Sequence, residues 1–437
     1  YVSEPALESL DALTAMYRLD GDPVLKGNQE LEDLDGLESL LQIGGSLRLI
    51  DNPKLHTVES IAGLRRIGGE LELSHNPKLP TESSASLRAA IGIFNIRGRF
   101  KEASNHPRIN VSGHVTIRHP SDIKRLEGVE RIIGDLLITG AGLHSLVGLD
   151  TLKSVVGSVR VRGTTKLQSL EGLHNLCRVG AGLHIDTNEA LQDLSGLREL
   201  KGIGGSLWGE ANRSLQTLRG LENLTVVEGD VWVLDNWSLS GLDGLSGLTL
   251  VGQELLLHGN QALESVAALH SLTEIGNCLE IHENDALGSL EGLERLISIG
   301  AGLHITDNPE LTSLIGLSSL RSLGGVLEIE RNASITNLRG LEKLTKVGEA
   351  VSVRSNPLLS SIRGLTRLTF IGGQLSVLDN PVLEDLGDLD SLKRLGSELT
   401  IDGSPKLFPS AVESLQAHIA KAGIRCDPMA PTTPSLS

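Results

Sequence analysis

An interval of 24 residues governs this chain. From Leu183 onward the same order returns: an aliphatic, a variable residue, an aliphatic, two variable residues, Asn, then Leu, Leu, Gly-Leu, Leu and Ile-Gly. The opening aliphatic falls at Leu183, Leu207, Val231, Leu255, Leu279, Leu303, Leu327, Val351, Leu375 and Leu399, nine successive steps of 24. A fixed period of this length marks a solenoid, in which each repeat is one coil stacked on the next. Earlier copies drift. Leu47 and Leu71 are again 24 apart, "PVL" at 23–25 keeps the phase, and weaker copies open at Val115, Leu136 and Val159, so that fifteen or sixteen coils are expected.

Within a coil, "L-x-I" alternates with period two, which predicts a short strand whose aliphatics point inward and whose central residue points outward. The glycines of "IGG" are expected to allow a backbone bend before that strand. Asn188, Asn212, Asn236, Asn260, Asn284, Asn308, Asn332, Asn356 and Asn380 form a column that reads as a buried ladder, each amide bonding to backbone of its own and adjacent coils. One coil cannot stand alone, because six or seven aliphatics do not offset the ordering of 24 backbones, so stacking must supply the rest. The predicted fold is a mainly β, right-handed repeat solenoid with parallel strands and short helical caps.

"SLQAHIAKAGIR" at 414–425 reads as the end of an amphipathic capping helix over about 409–423. A close relative, "SLRAAIGIFNIR", stands at 86–97, within an insert at about 80–112. This duplicated terminator predicts a short block over 1–110 and a long solenoid over 111–425, followed by a Pro/Ser/Thr-rich, disordered tail at 426–437. "ALESLDALTAMYRL" near the start is expected to be an N-terminal helical cap.

Only 9 of the 437 residues are Phe, Trp or Tyr, so packing must be aliphatic. The formal net charge is −16 with no Lys/Arg cluster, which argues against nucleic acid and anionic membranes as partners. No apolar run approaches the ~20 residues of a spanning helix, so no membrane insertion is expected. A start at Tyr1 fits a processed precursor or a fragment and says nothing about export. Cys177, Cys278 and Cys426 are an odd number without metal-ligand spacing, which reads as buried or half-buried thiols, with an intermolecular bridge through one of them as the alternative.

The segment "GLERLISIGAGLHITDNPELTSLIGL" at 292–317 resembles the leucine-rich, receptor L-domain-like repeats of bacterial cell-surface proteins, with their "GLxxLxxIGGxLxIxxNPxLxSLxGL" consensus. The resemblance covers roughly residues 23–407. It implies a surface recognition or adhesion module, secreted or displayed on a cell. Related domains of growth-factor receptors bind polypeptides on a solenoid face. Family terminators often carry a cysteine pair, from which this chain departs: Thr81 and Glu82 follow "LP" in the first copy, and Cys426 stands alone in the second.

Trp208 and Trp232 are the outward centres of "L-x-I" on adjacent coils, in a column with Arg160, His184, Leu256, Glu280, His304, Glu328, Ser352 and Ser376. Two residues on, a flanking column carries Asp186, Glu210, His258, His282 and Glu330. Large rigid rings within a polar rim compose a binding hot spot. The predicted ligand site is therefore Trp208, Trp232, Leu256, His184, Glu280, His304, Glu328, Glu210, His258 and His282. A competing reading has the rings covered by the insert at 80–112 or a neighbouring molecule, or stacked merely as surface ladder pairs.

Trp237 follows a ladder Asn and is expected to pack at a corner. His258 and His282 are read as solvated histidines rather than metal ligands, since metal sites need three or four convergent donors. Of five Asn-x-Ser/Thr sequons, at Asn110, Asn212, Asn223, Asn236 and Asn332, three are ladder residues and Asn223 is the plausible glycan acceptor.

HExxH, P-loop, GxSxG and dinucleotide fingerprints are all missing. Glu280 and Glu328 lie two coils apart, about 10 Å by strand spacing, beyond the roughly 6.5–9.5 Å of an inverting glycosidase pair. No cofactor, metal or catalytic residue is expected. The functional expectation is a non-enzymatic recognition or adhesion protein for a protein or glycan ligand. Its alternatives are a self-associating surface or filament component and, more remotely, a polysaccharide hydrolase.

Overall fold

The computed structural model describes residues 7, 9–14, 16–64, 66–80, 87, 100–103, 109–386 and 389–421. Most of the closing insert expected at 80–112, the last residues of the capping helix expected to 423, Cys426 and the tail lie outside these residues. The chain divides into two compact units, Tyr1–Arg108 and Ile109–Ser437.

In the second unit each coil contributes one strand to each of two parallel thirteen-stranded sheets. The longer strands are the "L-x-I" segments, such as Leu279–His282 and Leu303–Thr306, paired in register at an offset of 24. The shorter ones, such as Ser298–Ile299 and Ser322–Leu323, come from the "x-I" before each Gly. One continuous aliphatic core runs between them. Leu279, Ile281, Leu287, Leu290, Leu293 and Leu296 of one coil are each 0% exposed and stack on their equivalents above and below. Helix Pro409–Lys421 covers the last coil, placing Leu415 and Ile419 in the same core.

The first unit repeats the plan on a smaller scale. A three-stranded parallel sheet holds Arg18–Leu19, Gln42–Ile43 and Arg66–Ile67, and a four-stranded one holds Val24–Lys26, Leu47–Ile50, Leu71–Ser74 and Phe100–Ala103. Near the start the described residues carry a single 3-10 turn, Asp11–Leu13.

Every ladder asparagine from 188 to 380 is 0% exposed. Asn284 is representative: its N–H donates to Asn308 Oδ1 (3.2 Å), and its Nδ2 donates to the carbonyls of Leu257 (3.0 Å) and His282 (2.9 Å). Each amide thus satisfies backbone groups that the corner would otherwise bury unpaired. The ladder also includes Asn28, Asn52 and Asn76 in the first unit. In the coil opening at Val159, Thr164 replaces Asn and its Oγ1 donates to Asn188 Oδ1 at 2.7 Å.

Two features depart from the sequence reading. The "IGG" glycines serve close approach rather than a bend: a Cβ on Gly300 would lie 1.9 Å from Gly276 O, and one on Gly324 would lie 1.8 Å from Gly300 O. The column is not glycine throughout, since Val156 and Glu228 stand in it beneath Gly180 and Gly252. The sharp turn instead falls on the residue before each ladder Asn, which is left-handed even where it is Thr187 (φ 55°), Ala211 (φ 54°) or Arg331 (φ 52°). Such a backbone costs a non-glycine residue about 1–2 kcal/mol, and the ladder bonds on its C-terminal side hold it there.

Candidate functional site

The strand register lines up His184, Trp208, Trp232, Leu256, Glu280, His304 and Glu328 as successive lateral neighbours. Beside them run Asp186, Glu210, Leu234, His258, His282, Thr306 and Glu330. The flanking Leu, Val and Ile residues of each strand fill the core, so these two columns face away from it. All ten residues singled out in the sequence lie in these columns, and all ten are half-buried.

The column has an aromatic half and a charged half. In the first, the rings of Trp208 and Trp232 meet edge-on, with centroids 4.7 Å apart and planes at 66°. On the other side of Trp208 the His184 ring is stacked at 5.7 Å and 29°. Trp208 Nε1 donates to Glu210 Oε2 at 2.8 Å, which fixes that indole. Trp232 Nε1 is shielded from solvent without a well-formed hydrogen bond. The Glu254 carboxylate interacts with it only weakly, and burial, Glu280 and Asp230 together hold that acid above the usual carboxylate range. Strand Leu207–Glu210 also places Gly209 where neighbouring coils have Ile185 and Val233, so the Trp208 coil lacks one inward aliphatic.

Burial, reinforced by the Arg160 guanidinium and opposed by Asp186, holds His184 below the ordinary imidazole range. This histidine remains neutral under conditions where an ordinary one begins to charge.

In the charged half His282 and His304 are hydrogen-bonded, so His282 is not simply the solvated histidine expected from the sequence. His282 Nε2 lies 3.0 Å from Glu280 Oε2, and its Nδ1 lies 2.6 Å from Thr306 Oγ1. His304 Nδ1 lies 2.9 Å from Glu328 Oε2. Hydrogen bonding from His282, with the added field of His282 and His304, keeps Glu280 below the usual carboxylate range. His258 meets His282 edge-on at 6.4 Å. At the far end, Glu330 is 3% exposed and bonded to Arg354 at 2.8 Å.

The structure also brings in a residue that the sequence reading left aside. Cys278 precedes strand Leu279–His282, and its Sγ, a Glu280 carboxylate oxygen and a His304 ring nitrogen all lie within 4.8 Å of one another. The pair weighed as a metal site from the sequence was His258 and His282, because they share a column. Cys278 shows no metal-ligand spacing to another cysteine or histidine in the sequence, so nothing there marks this grouping. Its thiol is pushed up first by burial and further by Glu280, Glu254 and Glu349.

Trp237 is not a packed corner residue. It is 46% exposed, with the Arg213 guanidinium 4.7 Å above its ring, since the position after the ladder Asn points outward from the turn. Asn223 is exposed, and its Nδ2 donates to Arg198 O at 2.7 Å.

No protein-family model matches the chain, and no curated protein matches it. Among solved structures, an internalin (inlF) from Listeria monocytogenes is similar at 16% identity, over 91% of this chain and 87% of that one, with a TM-score of 0.22. A score that low carries no argument, and the fold rests on this chain's own coils. The chain is a leucine-rich-repeat parallel β-solenoid. Among the described residues no helix is long and apolar enough to cross a membrane.

Proposed function

We propose that the protein is a non-enzymatic recognition module, displayed on a cell surface or secreted, that binds a protein or glycan ligand on the face centred on Trp208 and Trp232. The observation that carries this reading is the indole pair itself: two of the chain's three tryptophans side by side on adjacent strands, outside the core. Burying half-covered rings against a partner sheds water at small entropic cost. Leu256 and His184 extend the apolar patch, while Glu210, Glu280, His282, His304 and Glu328 supply the polar rim.

The test uses the Trp237→Phe chain, whose fluorescence reports only the two central indoles, against panels of glycans and of purified proteins. A true ligand changes that emission. The Trp208→Ala/Trp232→Ala variant should then lose binding by about 2 kcal/mol per indole, roughly thirtyfold each, with little change in its unfolding midpoint. A ligand bound equally well by that variant would remove the indoles from the site. Sedimentation across a wide concentration range should show a constant mass, whereas growth with concentration would favour self-assembly.

A further inference from the structure

We propose that Cys278, Glu280 and His304 form a binding site for a divalent transition metal, Zn2+ in the first place. Glu280 and His304 also stand in the rim of the indole face, but this inference does not rest on ligand binding there. Thiolate, imidazole and carboxylate together suit zinc and its neighbours and not Mg2+ or Ca2+, which take oxygen ligands. The three donor atoms already lie within 4.8 Å of one another. Tetrahedral zinc with bonds of about 2.0–2.3 Å needs them roughly 3.3–3.8 Å apart, a gap that small side-chain rotations close.

Each nitrogen and oxygen ligand is oriented by a partner of its own. His304 Nδ1 is engaged by Glu328 Oε2 at 2.9 Å, which leaves Nε2 as the donor to a metal. Nε2 sits where a side chain at residue 302 would be, since a Cβ on Gly302 would lie 2.4 Å from it. Residue 302 occupies the place of Cys278 one coil on, so the absence of a side chain there opens the path from Nε2 to the sulfur. Glu280 is held by His282, and His282 in turn by Thr306. Carboxylate–histidine–metal relays of this kind are the usual outer shell of zinc ligands.

Charge points the same way. Burial is the first cause that raises the Cys278 thiol, and Glu280, Glu254 and Glu349 add to it a negative potential that a divalent cation reverses. On binding, the Cys278 S–H bond breaks, its proton leaves to buffer, and the sulfur lone pair forms the bond to the metal. The charges of Zn2+, one thiolate and one carboxylate then sum to zero. The fourth coordination position is left to water or to a donor from a ligand.

The experiment uses the full chain, reduced with a non-thiol reagent, and Co2+ as the probe. One equivalent of Co2+ should produce a thiolate-to-metal charge-transfer band with tetrahedral d–d bands, and Zn2+ should displace it. Cys278→Ser should abolish the charge-transfer band, whereas the Cys177→Ser/Cys426→Ser chain should keep it. Glu328→Gln should retain the band and weaken affinity at least tenfold. A wild-type chain without the band, a band that survives Cys278→Ser, or one lost with Cys177 and Cys426 would overturn the proposal. Circular dichroism of each variant separates loss of the site from loss of the fold.

Discussion

The hexapeptide GAGLHI occurs at 180–185 and again at 300–305, and the two histidines it carries end in opposite surroundings. Both rings fold back over the preceding glycine: a Cβ on Gly182 would lie 2.4 Å from His184 Nε2, and one on Gly302 would lie 2.4 Å from His304 Nε2. Everything local is the same. Yet His184 has Arg160 on one side and the Trp208 ring on the other, while His304 has Glu280 and Glu328. The first is biased toward its neutral form and takes part in an aromatic stack. The second is hydrogen-bonded to a carboxylate beside a thiol. In this fold a side chain's chemistry depends on what stands 24 positions before and after it as well as on the residue two places along its own strand.

Substitution in the shared scaffold should affect both coils alike. Asn188→Ala leaves two buried backbone groups unpaired, the Thr164 N–H and the Val161 carbonyl, and Asn308→Ala three, the Asn284 N–H and the Ile281 and Thr306 carbonyls; at about 1–3 kcal/mol apiece, each substitution should cost roughly 3–5 kcal/mol in urea unfolding. A difference of more than about 3 kcal/mol between them, beyond the one extra carbonyl that Asn308 serves, would break the equivalence on which the comparison rests.

The lateral neighbours should be transferable. Ser158 and Arg160 stand to His184 as Cys278 and Glu280 stand to His304. Ser158→Cys/Arg160→Glu should therefore give the His184 coil a second thiolate-to-cobalt band, with affinity raised at least about tenfold over the unaltered coil, or roughly 1.4 kcal/mol. If the donors are in place and no second band forms, the carboxylate behind His304 contributes more than the first set of ligands, and adding Trp208→Glu tests that.

The smallest effect concerns protons. A histidine whose folded value is depressed binds fewer protons when folded than when unfolded, so its contribution to stability is complete above the ordinary value of 6.5 and declines as pH falls from there toward the folded value. Arg160→Ala should raise the His184 value without restoring it fully, because burial is the larger cause, and should narrow that pH window. An NMR titration of the His184 ring reads this directly, and an unchanged midpoint would remove Arg160 from the account.

Much of this molecule was legible from its sequence. Nine exact steps of 24 gave the coils, the inward faces and the asparagine ladder, because each depends on a pattern that repeats along the chain. The register of the indoles followed from the same count. What escaped depends on contact between coils at the level of atoms. The "IGG" glycines suggested flexibility when read singly, whereas the carbonyl of the preceding coil is what excludes a Cβ at Gly300. The left-handed turn is Gly or Asp at Gly27, Asp51, Gly163, Asp235, Gly259, Asp307, Asp379 and Gly403, a bias that His75, Thr187, Ala211, Glu283, Arg331 and Ser355 blur in the same column. Cys278 lies one residue outside the strand motif, and only the fold of His304 over Gly302 brings the two together. Trp237 replaces a proline and was read as packing, although its position opens to solvent.

The in-register pairing of the strands has one more consequence. Neighbouring strands lie about 4.8 Å apart, so moving a side chain by 24 positions translates it by one such increment while preserving its orientation. The outer face therefore behaves as a graduated ruler on which functional groups can be set at multiples of a fixed distance. Gain or loss of whole repeats would lengthen or shorten the scale without disturbing the marks that remain.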